Sequence, residues 1–150
     1  MKQLPLKVKE LNKEIESYDI SYHKKDQAVI VKDEKHKLIL VNKEPAFFYY
    51  QDKIVPTLKN LQKNSLLKKI TVDMGAVKFV INGADIMRPG ITEIEDGINE
   101  NDFIVIVDVN NQKSLAVGIA LLNSEEMRSS TSGKVIKNIH YVGDEIWKIE

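Results

Sequence analysis

The first 69 residues contain no glycine, whereas all seven glycines of this 150-residue chain (Gly75, Gly83, Gly90, Gly97, Gly118, Gly133 and Gly143) lie beyond residue 70. Charge divides at the same place. Residues 1–69 carry fifteen lysines, no arginine and nine carboxylates, a net charge of +6. Residues 70–150 carry seven cations and thirteen carboxylates, a net charge of −6. The formal net charge of zero is the sum of two opposed halves and describes neither surface. A coincident shift in backbone freedom and charge marks two differently built units, here 1–69 and 70–150. Units of about 70 residues are small for independent cores, so the two are expected to pack together.

Composition narrows the class. Hydrophobic residues make up 43% and charged residues 29%, the range of a globular domain rather than a disordered chain. No apolar run approaches the ~18 residues of a membrane span. The start, Met1 to Pro5, leads into a charged amphipathic stretch instead of a signal-peptide core, so a cytoplasmic protein is expected. Without cysteine, disulfides, thiolate catalysis and Cys-type zinc sites are excluded.

In the basic half, Leu4, Val8, Leu11, Ile15 and Tyr18 step by four and three, one stripe of an amphipathic helix. Ala28–Val31 and Leu38–Val41 are short β-branched runs joined by the polar turn 32–37. Ala46–Tyr50 is a third strand, whose alternation buries two of Phe47, Phe48, Tyr49 and Tyr50. Pro56 suits the first turn of a second helix carrying Leu58 and Leu61. The order read here is α-β-β-β-α. Lys59, Lys63, Lys68 and Lys69 read as a solvated face.

The glycine-bearing half begins with a strand at Ile70–Val72. Asp73 caps a helix from about Gly75 to Ile81, with Ala76, Val77, Phe79 and Val80 packing inward. Gly83 suits a left-handed helix exit. A loop from Ala84 to Ile91 holds Arg88 and closes on Pro89-Gly90. Strands follow at 103–107, 115–122 (with a bend or bulge at Gly118), 135–142 and 145–149, with one helical turn at 124–127. Many short strands with one early helix suggest a small closed β-barrel.

These residues resemble a known family. Asp73-Met74-Gly75-Ala76-Val77-Lys78-Phe79-Val80 followed by Asn82 to Ile91 is similar to the opening helix and loop of the PUA domain, named for pseudouridine synthases and archaeosine transglycosylases. Ala116 to Ala120 with Ser124 to Met127, and Gly133-Lys134 with Ile139 to Trp147, resemble its central and last strands. The branch most resembled is that of the malignant T-cell amplified sequence and translation-machinery-associated proteins, archaeal relatives included. Over 1–69 the likeness rests on size, position and element order. The fold implied is α+β, a small N-terminal α/β leader domain packed on a C-terminal PUA-type β-barrel.

The resemblance implies RNA binding at a tRNA acceptor end or small-subunit rRNA, in translation initiation, re-initiation or recycling. It also implies an initiation-factor-one-like protein partner and no cofactor; the chain itself is expected to be a monomer. Carried over residue by residue, the RNA-binding loop is Gly83, Ala84, Asp85, Ile86, Met87, Arg88, Pro89 and Gly90, facing Lys134, Lys137 and His140. Physical chemistry agrees in part. Small residues admit an RNA backbone, Arg88 can grip phosphate, and Met87 can offer an apolar platform. On this reading a charge reversal at Arg88 weakens RNA binding and leaves unfolding unchanged. The −6 of this half opposes general phosphate attraction, unless the acidic run Glu93, Glu95, Asp96, Glu100 and Asp102 lies away from the loop. The +6 half is the stronger electrostatic candidate for rRNA.

Catalysis is not expected. His23, His36 and His140 lack zinc-ligand spacing, and the glycines form no phosphate-binding fingerprint. A chain of this size leaves no room for a catalytic domain beside the two units. Two rival readings stand beside RNA binding. One is a protein-interaction subunit presenting the acidic 93–102 run. The other is an RNA-recognition subunit acting in trans for a modification enzyme.

Overall fold

A computed structural model, describing residues 1–149, forms two units. One comprises Met1–Leu66 with Lys148 and Ile149, the other Leu67–Trp147. The first unit runs β1 (Lys2–Leu6), α1 (Val8–Glu14), a one-turn 3-10 helix (Glu16–Tyr18), β2 (Ala28–Lys32), β3 (Lys37–Val41), β4 (Glu44–Tyr50), β5 (Lys53–Pro56) and α2 (Leu58–Leu61). Its strands make one antiparallel meander in chain order.

Two sequence expectations fail here. The stripe from Leu4 to Tyr18 is not one helix. Leu4 sits in β1 opposite Ile30, Val8 and Leu11 lie on α1, Ile15 closes it, and Tyr18 ends the 3-10 turn. Pro56 does not open a helix but ends the edge strand β5 opposite Phe47, a place where a missing N–H costs nothing. Thr57 is the cap of α2: its Oγ1 accepts from the Asn60 N–H at 3.2 Å and donates to the Pro45 carbonyl at 2.9 Å.

α1 covers one face of the meander, where Leu11 and Ile15 pack with Ala28, Ile39, Val41, Ala46 and Phe47. Phe48, on the opposite face, is also buried, while Tyr49 and Tyr50 are half-buried. Tyr49 is spoken for internally. Its hydroxyl is bonded to Glu14, and Lys37 Nζ lies 4.3 Å from its ring centroid.

The second unit runs β6 (Lys69–Val72), α3 (Met74–Val80), β7 (Ile86–Met87), a 3-10 turn (Arg88–Gly90), β8 (Ile91–Ile94), β9 (Phe103–Asp108), β10 (Ser114–Ala120), α4 (Ser124–Ser129) and β11 (Lys134–Tyr141). Its six-stranded sheet has the order β7-β11-β10-β9-β6-β8, with β6 and β9 parallel. The two edge strands, β7 and β8, are joined by only the three residues Arg88–Gly90. The sheet must therefore curl until its edges meet. The six strands form the half-barrel sheet of the PUA-type barrel expected, with β7 and β8 meeting at a seam that carries no ladder among the described residues. Ile70, Val72, Ile104, Ile106, Ala116 and Ile136 fill the interior.

Gly118 stands at a register shift between β10 and β11. A Cβ there would lie 2.4 Å from Ile136 Cγ2 and 2.9 Å from the Lys137 carbonyl, so the two backbones close up only on glycine. The strand expected at 145–149 is absent. Turns replace it, because the Asp144 carboxylate takes the N–H groups of Tyr141 and Trp147 at 2.9 and 2.8 Å. Among the described residues, no helix is long and apolar enough to cross a membrane.

Candidate functional site

The glycine loop begins where α3 stops. Asp73 caps the helix, its Oδ1 accepting from the Ala76 N–H at 2.9 Å. Val80 is buried, and Gly83 takes φ +90°, a conformation that side chains resist. A Cβ on Gly83 would also lie 2.8 Å from the Tyr141 ring. The glycine thus serves a turn and a close approach to β11.

The loop is then fastened to β11 from beneath. Asp85 accepts from the Asn138 N–H at 2.9 Å, and its other oxygen pairs with Lys134 Nζ at 3.3 Å. Asn138 Nδ2 donates to the carbonyls of Val80 and Ala84, each at 3.1 Å. Asn138 was not among the expected site residues. Its only sequence signal is an amide side chain inside an otherwise strand-forming run. In register Met87 faces Lys134 and Ile86 faces Ile136, so Gly83, Ala84, Asp85, Met87 and Lys134 share one edge of the unit. Met87 is half exposed, and Lys134 and Lys137 are exposed on β11.

Two expected contact residues stand differently. The Arg88 guanidinium is turned inward, its Nε donating to the Met127 carbonyl at 2.6 Å and its Nη1 to that of Ile91 at 3.2 Å. Two of its five N–H donors brace the seam turn against α4 and β8, so charge reversal here must disturb the fold. Pro89 and Gly90 continue that turn, and the Gly90 carbonyl accepts from the Asp73 N–H. His140 is 1% exposed, with Nδ1 2.9 Å from Asp144 Oδ2. It belongs to the interior and not to the surface. Burial works to raise the Asp144 pKa, but the His140 ring and the Trp147 and Tyr141 N–H groups overcome it and hold the carboxyl below its ordinary value.

Phe79 corrects the reading of α3. It is 58% exposed instead of packed. Ala76, Val77 and Val80 form the inward stripe, leaving Gly75, Lys78 and Phe79 on the outward one. Lys78 Nζ stands 5.2 Å from the Phe79 ring centroid.

The acidic run is largely bonded within the unit. Glu95 accepts from the Lys69 N–H and lies 4.0 Å from Lys68 Nζ. Asp96 pairs with Arg128, and Asp102 takes the Asn99 N–H at 2.8 Å.

Compared with known proteins, residues 68–142 match the model of the PUA domain, and residues 7–64 match that of a domain of unknown function, DUF1947. An uncharacterized protein of Methanocaldococcus jannaschii is 45% identical over 148 residues, covering 95% of this chain and 91% of its own length. Translation machinery-associated protein 20 of Saccharomyces cerevisiae is 35% identical over 132 residues, 83% of this chain and 73% of its own. Malignant T-cell-amplified sequence 2 of Homo sapiens is 35% identical over 133 residues, 85% and 74%. The crystal structure of a hypothetical protein from Pyrococcus horikoshii superposes with a TM-score of 0.83 at 33% identity, covering 98% of each chain.

Proposed function

Since the chain belongs to the PUA-domain family, in the branch of the translation machinery-associated and malignant T-cell-amplified proteins, we propose that it is a non-catalytic RNA-binding protein serving translation in the cytoplasm. The observation that carries this reading is that likeness to a protein named for the translation machinery runs through both units, and not through the half-barrel alone. The ligand we propose is structured RNA, a tRNA acceptor end or small-subunit rRNA, met during initiation or ribosome recycling.

The proposed contact is the edge where the glycine loop lies on β11. Gly83 and Ala84 keep that edge low, so a sugar-phosphate backbone can approach. Lys134 and Lys137 supply cations, Met87 an apolar shelf. Asp85 tempers the first lysine and fixes its position. Arg88 has three N–H donors beyond its two internal bonds, so it contributes second to its bracing. The bonds of Glu95, Asp96 and Asp102 favour this reading over one in which the 93–102 run is an acidic docking face.

The test is tRNA binding against salt. Neutralising two or three phosphates makes affinity fall on the order of twenty-fold between 50 and 200 mM salt. A double Lys134→Ala, Lys137→Ala variant should bind more weakly with a shallower slope. A flat salt response in the parent chain, or absence from sedimented small subunits, would sink the reading.

A further inference from the structure

The first unit carries a cleft of its own. It opens between the β1–α1 corner and the irregular segment that leads into β2, and it holds about 810 Å³, the size of a small-molecule site. Specific bonds fix its walls. Asn12 of α1 acts on the segment as a neighbouring strand would. Its Oδ1 accepts from the Tyr22 N–H at 2.8 Å, and its Nδ2 donates to the Tyr22 carbonyl at 2.9 Å. The Tyr22 ring is set edge-on to Phe47, 6.4 Å between centroids. Leu6, Val8 and Val29 give the cleft an apolar lining.

The charge around this hollow is one-sided. Lys7, Lys9 and Lys24 line it against a single carboxylate, Asp26. All three lysines are exposed, and none forms an ion pair among the described residues. Asp26 is engaged elsewhere. Its Oδ2 accepts from the His23 N–H at 2.8 Å and its Oδ1 from Asn42 Nδ2 at 2.9 Å. The acid of the lining thus holds the loop together, while the cations have no counter-charge. Like charges gathered about one hollow repel one another, and a bound anion reverses that.

We infer that this cleft binds a nucleoside phosphate, with the phosphates among Lys7, Lys9 and Lys24 and the nucleoside on the apolar lining beside Tyr22. The inference goes beyond the RNA-binding reading and does not rest on it. Lysine without arginine points to phosphate. The first 69 residues hold no arginine, whose planar fork suits a carboxylate, whereas ammonium groups act as point charges on a multiply charged group. A nucleoside suits the hollow better than an acyl chain, which a cleft open to solvent would leave wet. The Gln27 amide also lines it and can read a base edge. A free nucleotide is favoured over an RNA strand because cations and apolar lining meet in one hollow. A strand calls for cations spaced along its backbone.

The test titrates the isotope-labelled full chain with ATP, adenosine, inorganic phosphate and a short single-stranded RNA, followed by NMR at low salt. ATP should shift the amide signals of residues 6–12 and 22–29, the two walls. Adenosine and inorganic phosphate, each lacking half the contacts, should bind at least about tenfold more weakly. Replacing Lys7, Lys9 and Lys24 together by alanine should weaken ATP by more than about tenfold, the worth of one charge-assisted bond, without lowering the melting temperature. Gln27→Trp fills the hollow, leaves every charge in place and should also weaken ATP. Lys35→Ala with Lys53→Ala removes two exposed lysines of the same unit outside the cleft and should leave ATP binding unchanged. If that pair costs as much as the cleft lysines, or if Gln27→Trp has no effect, the lysines act as a diffuse field and the inference is overturned. It is overturned equally if inorganic phosphate binds as well as ATP, or if the RNA strand binds these walls more tightly than ATP does.

Discussion

The two units solve the same problem, tight strand connections, with different materials. The glycine-free unit makes two-residue hairpins from ordinary residues. Asn42 and Lys43 (φ 51° and 71°) join β3 to β4, and Gln51 and Asp52 (φ 48° and 65°) join β4 to β5. Both central residues are left-handed in each, the arrangement that matches strand twist and that glycine usually supplies. The glycine-bearing unit uses glycine for space as much as for φ. Gly83 clears the Tyr141 ring, and Gly118, with no positive φ, clears Ile136 and the Lys137 carbonyl. Glycine in this unit thus serves close packing at Gly83 and Gly118 and a left-handed backbone at Gly83, Gly97, Gly133 and Gly143.

The sharpest way to break that comparison is Gly118→Ala. The added methyl meets Ile136 Cγ2 at 2.4 Å and a backbone oxygen at 2.9 Å, and the backbone oxygen cannot rotate away. Overpacking of this kind costs about 2–3 kcal/mol, read as a lowered urea midpoint with an unchanged slope. A variant as stable as the parent would mean that β10 and β11 have slack, and the space argument would fail.

Next in size is Arg88→Glu. The glycine-bearing unit closes its seam with a side chain, and reversal removes two donors from the carbonyls of Met127 and Ile91. Leaving half-buried acceptors unpaired costs about 2 kcal/mol. Reduced RNA binding by this variant is interpretable only after its stability is measured. Arg88→Lys, which keeps charge but not the two-carbonyl geometry, separates bracing from phosphate contact: bracing alone predicts lost stability with retained affinity.

The sequence was most legible where a residue's local chemistry decides its structure alone. The Asp73 cap, the Gly83 exit and the β2–β3 hairpin all follow from side chains acting within a few residues. It was least legible where a partner far along the chain decides. Leu4 fits a helical stripe by spacing, but pairing with Ile30 makes it a strand residue. Arg88 and His140 look like contact residues until Met127 and Asp144 claim them. Phe79 errs the other way. Counting the i, i+4 neighbours Ala76 and Val80 puts it on the outward stripe, a signal the apolar identity of phenylalanine concealed.

Asp144→Asn tests whether the end of β11 depends on a side chain, as the seam does. The carboxylate takes two N–H groups and the His140 ring. Its loss should cost about 1–2 kcal/mol at neutral pH. The sign in pH follows from the lowered pKa. A carboxyl depressed in the fold contributes fully above its unfolded value, about 4, and loses that contribution as pH falls through the folded value. Parent and variant should therefore converge in acid. A difference that persists at pH 2 would assign the effect to shape rather than charge.

The smallest effect returns to the turns of the glycine-free unit. Lys43 holds φ 71° at the second central position of a hairpin whose first is Asn42, the place where glycine follows asparagine most readily. Lys43→Gly removes left-handed strain worth about 1–2 kcal/mol but gives the unfolded chain more freedom, which offsets about 0.4–1 of it. The net expectation is a gain of roughly 0.5 kcal/mol, a small rise in melting temperature. Gln51→Gly should follow in the same direction. Asp52→Gly should gain less, because aspartate already tolerates this region. If Lys43→Gly destabilises instead, these turns are held by interactions of their side chains and not merely tolerated. The absence of glycine from the first 69 residues would then be a requirement of the meander, where the geometry implies only that it is permitted.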